Sequence, residues 1–160
     1  MKHFLFSLVV ICFALFLFAC KHSEKPETAF FQNFNLGATV QQMKAVQLRP
    51  KTGGSGATTA IGETTERRRN FELEYVLDEG NSEQFDESVF LNELKSEVAE
   101  QISNAGVRAN GTGSSNEGFY FNYSTEENRG SVEVIGARVE GNKYKLWCVM
   151  RESAGIESDK

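Results

Sequence analysis

The chain has 160 residues, with 17 basic and 22 acidic side chains and a net charge of −5. That length suits one compact domain rather than two. The acidic balance argues against nucleic acid as a partner, because binding it depends on neutralising phosphates.

Lys2 and His3 make a short positive start, Phe4 to Phe18 is an apolar run, and Ala19 and Cys20 close it. A charged start, a short apolar segment and a small residue at the end describe a secretory signal peptide, residues 1–19. The run is shorter than the roughly 20 residues a helix needs to cross a bilayer core. Leu17-Phe18-Ala19-Cys20 resembles the lipobox of bacterial lipoproteins. The aliphatic Leu17, the small Ala19 and Cys20 carry that resemblance, and Phe18 stands where the family more often has a small residue. The resemblance covers the first 20 residues only. It implies cleavage between Ala19 and Cys20, a diacylglyceryl thioether on Cys20, and often acylation of the new amino terminus. It also implies a lipid anchor in a membrane of the bacterial cell envelope. Lys21, rather than Asp, follows the cysteine, which favours the outer membrane if the organism is Gram-negative. One acyl chain holds weakly, at about 0.8 kcal/mol per CH₂, so the two or three chains expected on Cys20 would hold firmly.

Removing residues 1–19 takes one lysine and no acid, leaving 141 residues with a net charge of about −6. Residues 20–29 are polar and contain Pro26, and read as a lipid-anchored tether. Residues 30–160 then form a single domain. Phe30, Phe31, Phe34 and Leu36 are apolar without a clear period. Val40, Met43 and Ala45 or Val46 have the spacing of a short helix over Thr39–Leu48. Residues 49–69 read as a polar, mobile loop, with Gly53 to Gly56 in it and Arg67-Arg68-Arg69 at its end. The arginines are the one basic cluster. They read first as a solvated loop and second as a contact for anionic lipid headgroups.

Phe71, Leu73, Tyr75 and Leu77 alternate with polar residues and predict a half-buried strand. Asp78 to Asn81 is a turn. A long amphipathic helix follows over Glu83–Ala105, with Leu91, Leu94, Val98, Ile102 and Ala105 on one face. Asn81 and Gln84 resemble a capping box at its start. Gly106 stands where a left-handed residue ends a helix, with Val107 placed for the accompanying apolar contact. Asn110 to Gly118 reads as a flexible loop and Phe119–Ser124 as a strand. Ser131–Glu140 and Lys143–Glu152 form a hairpin about Gly141-Asn142, a two-residue turn signal.

That turn predicts a register. Val139 faces Tyr144, Ala137 faces Leu146 and Ile135 faces Cys148, as one apolar face. On the other face Gly136 meets Trp147 and Val134 meets Val149. The expected fold class is α+β: a two-layer domain with an antiparallel sheet of about four strands, order β-α-β-β-β, and the long helix on one face. The second face then carries Val132, Val134, Trp147 and Val149. Cover by Ala29–Leu48 is the favoured expectation for it, and a partner surface the alternative.

The composition limits chemistry. His3 and His22 are the two histidines, one in the signal peptide and one in the tether. The domain therefore has no imidazole base for a Ser-His-Asp or Cys-His mechanism. A lone Cys148 cannot build a Cys₄ zinc site, and its neighbours point to a core cysteine. Asp78, Glu79, Glu83, Asp86 and Glu87 crowd the helix start without the spacing of a calcium loop. No cofactor, metal or catalytic residue is expected. The expected function is a membrane-tethered, non-catalytic binding or structural domain, whose protein or small-molecule partner the sequence leaves open. The alternatives are a small carboxylate-dependent hydrolase or ligand-binding enzyme, and a secreted effector or inhibitor docking through the Trp147 face.

Overall fold

The computed structural model describes residues 26–43, 48–50, 58–61, 66–77, 85–140 and 142–154. Two short helices come first, α1 (Ala29–Asn33) and α2 (Leu36–Gln42). Strands β1 (Leu48–Pro50), β2 (Thr58–Ile61) and β3 (Glu66–Leu77) follow, then helix α3 (Glu87–Asn104). Four consecutive strands complete the order: β4 (Arg108–Ser114), β5 (Gly118–Ser124), β6 (Asn128–Val139) and β7 (Lys143–Ala154). The strands form one antiparallel sheet in the order β1-β3-β7-β6-β5-β4, with β2 also lying on β3. The fold is α+β on an antiparallel sheet. Its body is five strands, β3 to β7, where about four are expected, and β1 and β2 are short pieces along one edge of β3.

Three segments differ from expectation for local reasons. The helix expected over Thr39–Leu48 starts earlier, because the Asn35 side chain accepts from the Ala38 N–H at 3.0 Å and caps α2. It stops at Gln42, where Met43 turns extended, and Leu48–Pro50 is strand. In the supposed loop 49–69, Thr58–Ile61 pairs with Arg67–Asn70, so the arginine run is strand. The supposed loop Asn110–Gly118 is mostly β4, the outer edge of the sheet. An edge strand pairs on one side only, so Gly, Thr and Ser suffice there. A register shift at Asn110 bends β4, and the Asn110 side chain donates to Ser124 Oγ at 2.8 Å.

Helix α3 opens at Glu87 under the cap of Asp86, whose carboxylate accepts from the Val89 N–H at 3.1 Å. The proposed cap residues Asn81 and Gln84 lie outside the described residues. The helix ends in a Schellman motif. Gly106 has φ +69, its N–H donates to Ser103 O at 3.0 Å, and the Val107 N–H donates to Ile102 O at 3.2 Å. Phe90, Leu91, Leu94, Val98 and Ile102 are buried.

One sheet face carries the core: Phe71, Leu73, Tyr75 and Leu77, then Tyr144, Leu146, Cys148 and Met150, then Val132 and Val134, then Phe119, Phe121 and Tyr123. The helices meet that same face. Phe30 and Phe34 set their rings edge-on to Tyr123 and Phe71, and Phe90 does so to Tyr144. The Gln101 side chain donates to Thr39 Oγ1 at 3.0 Å and ties α3 to α2.

The β6–β7 register is one residue off the expected one. Val139 pairs with Lys143, Ile135 with Trp147, and Val134 with Cys148. Strand β6 ends at Val139 and β7 begins at Lys143, and Asn142 adopts φ +58, which asparagine tolerates. A slip of one residue turns every side chain of a strand to the other face. Val132 and Val134 therefore lie in the core at 0% exposure, and the ring above Gly136 is Tyr144 rather than Trp147.

Candidate functional site

The chain is held against the sheet from Pro26 onward, so residues 26–29 are part of the folded body. Thr28 caps α1 by accepting from the Phe31 N–H at 3.1 Å. The same threonine gives its own N–H to one oxygen of Glu152, at 2.9 Å, and its hydroxyl to the other, at 2.5 Å. The Tyr123 hydroxyl also donates to Glu152, at 3.2 Å. Glu152 is 1% exposed, and every hydrogen bond made to it comes from a proper donor. Burial holds the Tyr123 hydroxyl protonated far above its ordinary range, and the neighbouring Glu152 adds to that. Two further contacts pin the segment: Asn128 Nδ2 donates to Pro26 O at 2.9 Å, and Arg67 lies 3.7 Å from Glu27. Arg69 reaches across to the carbonyls of Phe31 and Gln32 at the end of α1, over the Phe71 ring.

Glu152, Asn128 and Arg67 share the core-side face of three neighbouring strands, at one end of the sheet. We call this end the base. Sequence reasoning misses Glu152 and Asn128, and reads Arg67 as part of a solvated basic cluster. One signal could have found Glu152: it has the same strand parity as Tyr144, Leu146, Cys148 and Met150, so a charge stands on an apolar face.

The opposite sheet face is partly open. Register places Tyr120, Glu133, Val149 and Asn70 in one row across it, then Ile135, Trp147 and Glu72 in the next. Tyr120 is 44% exposed and Ile135 41%, and Trp147 and Val149 are half-buried. Toward the top, Lys145 lies 3.3 Å from Glu72 and Lys143 lies 3.4 Å from Glu74. Such exposed pairs contribute little to stability.

Of the four residues expected on the second face, Val132 and Val134 lie in the core instead, while Trp147 and Val149 lie on the open face beside Ile135 and Tyr120. Of the favoured cover Ala29–Leu48, the described residues 29–43 do not lie on this face, since α1 and α2 pack on the other one. Ala19 and Cys20 lie outside the described residues, as do Asp78, Glu79 and Glu83. Asp86 serves as a helix cap, and Glu87 accepts from the Tyr144 hydroxyl at 3.0 Å. Among the described residues no group of His, Cys, Asp and Glu is arranged to hold a metal, and no helix is long and apolar enough to cross a membrane.

Two clefts flank the Ser115–Glu117 turn between β4 and β5. One, of about 260 Å³, runs between that turn and α3, where the Lys95 ammonium donates to Ser114 Oγ at 2.8 Å. The other, of about 390 Å³, opens on the sheet side, and the exposed carboxylates of Glu117 and Glu133 both line it.

Cys148 is buried, and its burial pushes the thiol pKa far up, with Arg69 offsetting only part of the effect. The thiolate is the reactive form. Iodoacetamide at pH 8 should leave Cys148 unmodified in the native protein and alkylate it fully in urea, as read by intact mass. Native labelling as fast as in urea would contradict this assignment.

No family model, no curated protein and no solved structure matches the chain.

Proposed function

We propose that the protein is a bacterial envelope lipoprotein, anchored by lipid on Cys20, whose domain acts by binding or as a structural component rather than by catalysis. The observation that carries this reading is the order of events along the chain. A lipobox-like Leu17-Phe18-Ala19-Cys20 is followed by a short polar spacer, and the chain is then gripped at Thr28 by a buried carboxylate 124 residues away. Such a grip fixes where a pull on the anchor is borne. In the same reading the domain is two-layered, with the amphipathic α3 lying over one sheet face and the Trp147 face left as the working surface. The absence of histidine after His22 supports a non-catalytic role. Lys21 favours the outer membrane in a Gram-negative organism.

Mass spectrometry of the mature amino terminus tests the anchor. A chain beginning at Cys20, heavier by a diacylglyceryl group and an acyl chain, is the expected result. Cys20→Ser should remain unprocessed and unmodified. A mature protein that is soluble and carries no lipid on Cys20 would sink the reading.

A further inference from the structure

The arginines at the base of the sheet follow a pattern that neither the fold nor the anchor requires. Each strand alternates its side chains between faces. On β3, β6 and β7, the core-side residue at the base holds the incoming chain: Arg67 meets Glu27, Asn128 meets Pro26 and Glu152 meets Thr28. The next residue on each of these strands points to the open face, and in all three it is an arginine: Arg68, Arg129 and Arg151. Register adds a fourth. Arg108 pairs with Ser124, which pairs with Arg129, so Arg108 lies in the same outward row. Arg68 pairs with Arg151 in the row above. All four are exposed.

Among the described residues, little of this charge is neutralised on its own face. Arg151 lies 3.8 Å from Glu66, and Arg68 Nε donates to Asn70 Oδ1 at 3.0 Å. Glu126 and Glu127 lie at the same end, but they line the helix-side cleft beside Pro26, Thr28 and Val107. Among the described residues, the two basal rows of the open face thus carry four arginines against one acid, Glu66. Two like charges placed directly opposite, as Arg68 and Arg151 are, cost stability, and the single carboxylate of Glu66 balances one of the two.

We propose that this arginine band docks the domain onto anionic phospholipid headgroups, so that the open sheet face lies toward the membrane that holds the anchor. The proposal rests on the lipoprotein reading, and chain length supports the geometry. Six residue steps separate Cys20 from Pro26, a span of at most about 20 Å. Pro26 is bound at the base, so the arginine end cannot move far from the headgroups. Basic side chains near an anionic surface are attracted to it over about a Debye length. Tyr120 and Trp147, in the rows above the band, are of the type that settles at the headgroup level.

Trp147 is the sole tryptophan, so its fluorescence reports on this face alone. The lipid-bearing full protein is reconstituted in vesicles of phosphatidylcholine, or of equal parts phosphatidylcholine and phosphatidylglycerol, each with a dansyl headgroup acceptor. Energy transfer from Trp147 should be at least about twofold higher with phosphatidylglycerol. It should fall to the phosphatidylcholine level in 1 M salt, where the Debye length is about 3 Å. Arg108→Glu with Arg129→Glu should have the same effect without shifting the thermal melt, and Arg108→Gln with Arg129→Gln should give an intermediate value. Equal transfer in both vesicles, or transfer indifferent to salt and to both variants, overturns the proposal. Flotation separates it from the anchor. Protein that carries no lipid and does not float removes the anchor reading. If that unanchored protein, added from solution, still shows an arginine-dependent signal with phosphatidylglycerol, the docking stands; without that signal, it falls.

Discussion

Glu152→Ala is expected to lower the stability of the domain by about 3 kcal/mol and its melting temperature by roughly 10 °C. The side chain is fully buried, so its loss does not merely delete a contact. It leaves the Thr28 N–H, the Thr28 hydroxyl and the Tyr123 hydroxyl facing a cavity with no acceptor. Each orphaned buried donor costs about 1–3 kcal/mol, and partial relaxation keeps the total below the sum. Glu152→Gln keeps the shape and one acceptor oxygen, but turns an NH₂ toward donors, so about half the loss is expected. Circular dichroism melts of the three proteins check the ranking. A Glu152→Ala melt within about 2 °C of the parent would show that the carboxylate is not what holds the chain. The loss should also be local. Without Thr28 fixed, α1 is released at its start, so the amides of Phe30 and Phe31 should exchange faster while those of α3 remain protected.

How much of this was legible in the sequence depends on the range of the interaction. The helix end at Gly106-Val107 rests on neighbours within five residues and is readable. So is the period of Phe71 to Leu77. The β6–β7 register was within reach and misread. A two-residue turn would have set Glu133 opposite Met150, inside the core, and an unpaired charge there is costly. The alternation Ser131-Val132-Glu133-Val134 already opposes it. Strand β4 is hidden for a different reason: at a sheet edge, pairing alone can hold a strand that lacks apolar alternation. The grip of Glu152 on Thr28 spans 124 residues and no local pattern announces it. The arginine band is hidden in the same way. Arg108, Arg129 and Arg151 are scattered in sequence and become one feature only when register aligns their strands.

The second large effect is expected at Gly118. Gly118→Ala should cost about 3 kcal/mol. A Cβ there would overlap the Val134 carbonyl oxygen and press on Ile135 Cα. These are backbone atoms of the paired strand and cannot rotate aside. The neighbouring ladder is also tight. The Ser115 N–H donates to Gly118 O at 2.8 Å, and the Gly136 N–H donates to Glu117 O at 2.7 Å. To admit a methyl group, β5 must part from β6 at its start, and the turn that separates the two clefts shifts with it. Gly111→Ala is the control. Its nearest obstacle is the Asn122 side-chain nitrogen at 3.5 Å, an ordinary contact, so a change within about 0.5 kcal/mol is expected. Urea titration gives both values, and amide exchange locates the damage. In Gly118→Ala the Gly136 amide should lose protection while the β3–β7 amides keep theirs, because that ladder runs along the side of β7 away from β6 and the strained corner. Equal stability of the two alanine variants would mean that β5 and β6 are not pressed together where Gly118 allows it.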